Sequence, residues 1–143
     1  MTLHLIKLCV GCESIEDLAA WIGETEKEAR RAGRTFEHAH VTRMVPKRRD
    51  ELLAGGSLYW VIKGSVQVRQ RLLDIRVFTD GEGIQRCQLV LDGTLVPTEW
   101  QPKRPFQGWR YYQREDAPAD LKAGSRSDLP PALRAELASL GLM

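Results

Sequence analysis

The run from Val41 to Phe78, VTRMVPKRRDELLAGGSLYWVIKGSVQVRQRLLDIRVF, constrains the fold most tightly. Its last part, Val66 to Phe78, is too long to be one flat strand. Val66, Val68 and Leu72 share one face under strand alternation, and Gln67, Arg69 and Arg71 share the other. After Leu73 the apolar set becomes Leu73, Ile75 and Val77. A one-residue flip of parity predicts a β-bulge, the device by which a long strand bends toward a barrel.

The residues ahead of that strand punctuate it. Phe36 to Val45 reads as a strand that Pro46 stops. The proline then starts a short helix over 47–54, because a missing N–H costs nothing in a first turn. Gly55-Gly56 ends that helix, and Ser57 to Lys63 is a strand rich in aromatic and β-branched residues. Gly64-Ser65, Asp80 to Gly83 and Asp92-Gly93 read as turns, with a strand over Ile84 to Leu91 between the last two. Leu95-Val96 is expected to end at Pro97. Thr98 to Tyr112 is irregular, with a last strand over Gly108 to Gln113.

At the start, Leu3 to Val10 is short, apolar on both faces and stopped by Gly11, which predicts a central strand rather than a signal peptide. Ser14 caps an amphipathic helix that runs to about Arg31. The sequence thus predicts an α+β class: a strongly bent, mainly antiparallel sheet or open barrel. An N-terminal helix, a short helix before the central strands and a C-terminal helix complete it. Residues 1–116 form a single domain, and 117–143 add a loop and a C-terminal helix over 129–140 docked on it.

The composition places no special demand on folding. At 143 residues one core suffices without metal or disulfide, and no apolar run is long enough to span a membrane. A cytoplasmic protein is expected. Charge is uneven: residues 34–114 carry 14 Lys/Arg against 8 Asp/Glu, while both flanks are net acidic. That basic middle points to an anionic partner.

Arg69 and Arg71, with Lys63 and the helix basics Lys47 and Arg48, make a forked donor array suited to phosphate. Arg43 and Arg110 extend it, and Trp109, with Tyr59, Trp60, Tyr111 and Tyr112, supplies surfaces on which bases stack. The plainer reading of the same residues is a solvated sheet face over core aromatics.

Cys9-Val10-Gly11-Cys12 has the spacing of a metal knuckle or redox pair, and packing beside a strand is its plainer reading. His38 and His40 lie on the next strand, without the helical spacing of a zinc site, so no metal and no cofactor is assigned. Nucleophile-elbow, phosphate-loop, dinucleotide-binding and zinc-protease motifs are all absent. Asp74 is expected to pair with Arg76.

Two resemblances carry further expectations. LHLIKLCVG, HVTRMVPKR, ELLAGGSLYWVIKG, QVRQRLLDI and PFQGWRY resemble a family of small alphaproteobacterial proteins known as a domain of unknown function, over about residues 2–112. That resemblance implies a bacterial, cytoplasmic protein and no particular activity. The order of strand, basic loop, short helix ending in Gly, then apolar strand resembles PUA-like domains, especially the ASCH branch. Arg43, Lys47 and Arg48 would line its cleft, although SLYWVIK carries no acidic residue where that branch has one. It implies RNA or modified-nucleotide binding. The leading expectation is therefore a non-enzymatic module binding RNA or a nucleotide. The alternatives are a small hydrolase using Asp74 on a nucleotide-like substrate, and a homodimeric assembly protein.

Overall fold

The computed structural model describes residues 2–35 and 37–121. Along the chain, strand β1 (Leu3–Leu8) leads to helix α1 (Ile15–Arg31), strand β2 (His38–Thr42) and helix α2 (Arg49–Leu53). Strands β3 (Ser57–Ile62), β4 (Ser65–Thr79), β5 (Gln85–Leu91), β6 (Val96–Pro102) and β7 (Trp109–Gln113) follow. They form one mixed seven-stranded sheet in the order β2-β5-β4-β3-β1-β7, with β6 also paired to β4. β1 and β3 are parallel and every other pairing is antiparallel. The sheet does not close into a barrel. The expected C-terminal helix over 129–140 lies outside the described residues.

β4 organises the sheet because it pairs with three strands. β3 takes one edge of its first half, β6 the other edge of that half, and β5 its second half. The expected bulge is present, with the register shifting between Leu72 and Asp74, so Leu72 and Ile75 enter one core cluster. A second shift falls at Gln67: Trp60 faces Val68 while Val61 faces Val66. It corrects the predicted faces. Val66 and Val68 join different clusters, and Gln67 is buried, donating from Nε2 to the carbonyl of Ile62 at 2.9 Å.

The sheet buries both faces. Leu5, Leu58, Trp60, Ile62, Leu72 and Leu89 pack with Ile15, Leu18 and Ile22 of α1 and with Leu52 of α2. On the reverse, Ile6, Tyr59, Val61, Val66 and Tyr112 form a smaller cluster with Leu8, Phe106 and Ala117 against it. Helix α1 starts where expected: Ser14 Oγ accepts the Asp17 N–H at 3.3 Å and Asp17 accepts the Glu13 N–H at 2.8 Å.

Two local readings change. The hairpin turn is Lys63-Gly64, with φ of 49° and 79°, and Ser65 already pairs with Ile62. β6 runs through Pro97 instead of stopping there. It lies outside β4, where a proline is tolerated. Its far side meets residues 119–121: Glu99 N–H bonds Ala119 O at 2.8 Å and Leu121 N–H bonds Pro97 O at 3.0 Å. The first part of the predicted loop is thereby docked.

The Gly55-Gly56 break uses its two glycines differently. Gly55 has φ of +101°, whereas a Cβ on Gly56 would collide with the carbonyl oxygens of Leu3 and Leu52. Backbone cannot swing aside as a side-chain tip can. Gly56→Ala is therefore expected to cost about 3 kcal/mol, as overpacking does, and Gly55→Ala only about 1–2 kcal/mol for its left-handed backbone. Urea unfolding of both variants reads the ranking, and equal losses contradict it.

Candidate functional site

The sequence-predicted cations do not meet in one hollow. Arg69 is gripped by Asp120, Nε and Nη2 each 2.7 Å from a carboxylate oxygen, and its Nη1 donates to Ser57 Oγ at 3.0 Å. It shares a face with Tyr59, and Arg71, opposite Ser57, is exposed on that face. Lys47 and Arg48 belong to the other side. Both of their backbone N–H groups donate to the Tyr111 hydroxyl, at 2.8 and 3.2 Å, and Tyr111 packs on the larger cluster. The Arg48 guanidinium pairs with Glu51 and stands 5.7 Å from the Tyr111 ring centroid. Lys63 sits at the hairpin tip, 4.0 Å from Glu13. Arg43 is exposed. Trp109 is buried and donates to Met44 O at 2.6 Å, a structural tie rather than a stacking platform.

Arg69 lines a hollow of about 640 Å³ with Arg114, where Asp120 already holds it, and Arg110 lines a separate basic concavity. This hollow of about 320 Å³ is formed by Lys103, Arg104, Phe106, Arg110 and Tyr112, with Ile6 and Asp116 at its wall. Alternation along β7 explains the split: Trp109 and Tyr111 serve the larger cluster, while Tyr112 joins the smaller one beside Arg110. The Arg110 guanidinium lies 4.9 Å from the Phe106 ring centroid, and Lys103 Nζ lies 5.1 Å from that of Tyr112. Among the described residues Lys103, Arg104 and Arg110 make no ion pair. Lys103 is held in place by its own N–H to Gly64 O at 2.8 Å. The Tyr112 hydroxyl bonds Gln101 and, at 3.0 Å, the carbonyl of Asp116, and burial pushes its pKa up to about 12, with Tyr59 and Asp116 adding to the rise. It stays protonated and fixed. Lys103, Arg104 and Phe106 escaped the sequence reading because PKRPF has no strand or helix period. The signal that could have found them was cations interleaved with an aromatic in a proline-bounded loop.

Asp74 is pinned. It pairs with Arg49 and Arg76, and the Ile75 N–H donates to it at 2.9 Å. The Ile75 backbone bond, followed by those two arginines, holds its carboxyl below the usual range.

Cys9 and Cys12 are joined by a disulfide, their Cα atoms 5.5 Å apart. His40 lines a cavity with both cysteines, and its ring meets Trp60 edge-on at 5.2 Å. His38 packs on Trp21 at 4.8 Å. Among the described residues no three His, Cys, Asp or Glu side chains converge as metal ligands.

The fold and its hollows define a small α+β protein built on an open mixed sheet, with a basic, aromatic-lined depression on one face. The chain belongs to the family described as "Protein of unknown function (DUF1489)", whose profile matches residues 5–143. The match extends past the 2–112 stretch expected. No curated protein and no solved structure matches the chain. Among the described residues no helix is long and apolar enough to cross a membrane.

All three histidines are held neutral by the fold. Burial lowers the pKa of each. For His4 the Arg69 charge adds to the effect, and its Nδ1 accepts the Ser57 N–H at 2.9 Å. For His40, burial, then Lys7 and His38, bring the value to about 4. A depressed folded pKa means that the unfolded chain binds protons first as pH falls. The stability His40 contributes is thus complete above about pH 6.5 and drains away toward about pH 4, and His4 and His38 act in the same direction. Urea unfolding should show a loss between about pH 7 and about pH 4.5 that His40→Gln makes shallower, by at most about 3 kcal/mol. Parallel pH profiles for the two proteins contradict this.

Proposed function

We propose that this protein is a binding module for a nucleotide, free or as a unit of single-stranded RNA, and that the Lys103–Arg110 hollow is where it binds. One observation carries the reading: three cations that have no ion-pair partner among the described residues surround two aromatic rings in a cavity of nucleotide size. The Lys103 ammonium and the Arg104 guanidinium suit a phosphate, one as a compact charge and one as a fork. The Arg110 plane, backed by Phe106, offers a flat cationic face on which a base stacks. Among the described residues Asp116 is the single carboxylate at the wall, against three cations, so the local field favours an anion. The PUA-like resemblance, with its RNA or modified-nucleotide ligand, and the cytoplasmic location belong to this same proposal.

Fluorescence anisotropy with a labelled oligouridylate, competed by unlabelled nucleoside triphosphate, tests it. Affinity should fall with salt at a log–log slope of about −0.7 per phosphate contact. Lys103→Ala with Arg110→Ala should weaken binding at least about tenfold, the effect of about 1.4 kcal/mol. Arg43→Ala and Arg71→Ala, outside the hollow, should leave it within about twofold, the size of a surface change. Absence of saturable binding at low salt, or a loss on Arg71→Ala without one on the double substitution, overturns the proposal.

A further inference from the structure

We propose that Cys9 and Cys12 form a thiol–disulfide exchange site for a polypeptide that carries a pair of thiols. The site lies apart from the nucleotide hollow and does not depend on it. The pair occupies the turn between β1 and α1. Cys9 continues the ladder, its N–H donating to Val61 O at 2.9 Å, and Cys12 N–H closes the turn on Cys9 O at 3.2 Å. Ser14, two residues on, caps α1, so Cys12 lies just ahead of the positive end of a 17-residue helix, where a thiolate is stabilised.

A stapling role explains the pair poorly. The ring it closes is so short that it constrains the unfolded chain little, and it joins no two distant elements. The surroundings suit a visiting segment better. Cys9 and Cys12 open onto a cavity of about 350 Å³ walled by Leu18, Trp21 and Trp60, with His40 and Asp17 as its polar groups. Between them Val10 is 87% exposed, and beside them Trp21 is 45% exposed. An apolar rim around a half-buried disulfide at a cavity mouth fits a polypeptide better than a small charged thiol. The third cysteine is the internal contrast: Cys87 is buried, and burial raises its pKa.

The exchange balances in two steps. A partner thiolate attacks one sulfur of the pair, forming a mixed disulfide as the Cys9–Cys12 bond breaks and the other cysteine leaves as a thiolate. The partner's second thiol, once deprotonated, attacks the mixed disulfide, and the partner departs with its own disulfide. Two electrons and two protons have passed from the partner's two thiols to Cys9 and Cys12. Run backwards, the same steps reduce a partner disulfide.

The wild-type full chain is first equilibrated in glutathione redox buffers, quenched by alkylation and weighed. Two thiols should appear together across a single two-electron transition, with emission from Trp21 and Trp60 changing over the same range. The second measurement is the reduction of insulin by dithiothreitol, which the protein should accelerate at least about tenfold over a Cys9→Ser/Cys12→Ser variant of unchanged circular dichroism. A disulfide that stays intact at every glutathione ratio overturns the proposal. So does insulin reduction no faster with wild type than with the variant, and the glutathione titration decides alone if that variant does not fold.

Discussion

The register of β4 is the constraint on which the rest of the structure depends. Strand side chains alternate with a period of two, so a single inserted residue transfers everything beyond it to the opposite face. β4 uses this twice. The shift at Gln67 lets Val66 close the smaller cluster and Val68 the larger. The shift beyond Leu72 then keeps Leu72 and Ile75 in one cluster although they are three apart. Without the second shift one of those side chains would face water, forfeiting about 1.5–3 kcal/mol of burial.

That register also decides which charges are free. Arg69 is carried to the face where residues 117–121 dock, and Asp120 takes both prongs of its guanidinium. Arg48 has Glu51 one helical turn away, and Arg49 and Arg76 share Asp74. Several cations of the regular framework are thus matched to carboxylates. Among the described residues Lys103 and Arg104, on the connection between β6 and β7, and Arg110, on β7, are not, and the proposed anion site draws on these three rather than on net charge.

The sequence made the order of elements legible, since hydrophobic period, Ser14, Pro46 and the Gly55-Gly56 break are all local signals. The bulge beyond Leu72 was readable for the same reason: a parity flip shows within a few residues. Gln67 was not, because a single polar residue on an alternating strand looks exposed whether or not a bulge turns it inward. Convergence of the cations was not readable either. Asp120 meets Arg69 from 51 positions away, and no periodicity announces such a partner. β6 was cut short because Pro97 reads as a stop unless the strand is known to lie outside its neighbour.

β1 relates the two proposed sites and separates them. Ile6 reaches the wall of the basic hollow, while Cys9, three residues on, packs against the larger cluster on the opposite face. Between them the strand is paired on both edges, to β3 and to β7, and is buried for most of its length. A strand tied in that way transmits little unless it shifts register, and a shift would expose Leu3 and Leu5 together. Exchange at the cysteines, as proposed, would therefore open a turn at the end of β1 without moving the side chains that face the hollow. The two proposed sites lie on opposite faces of one sheet.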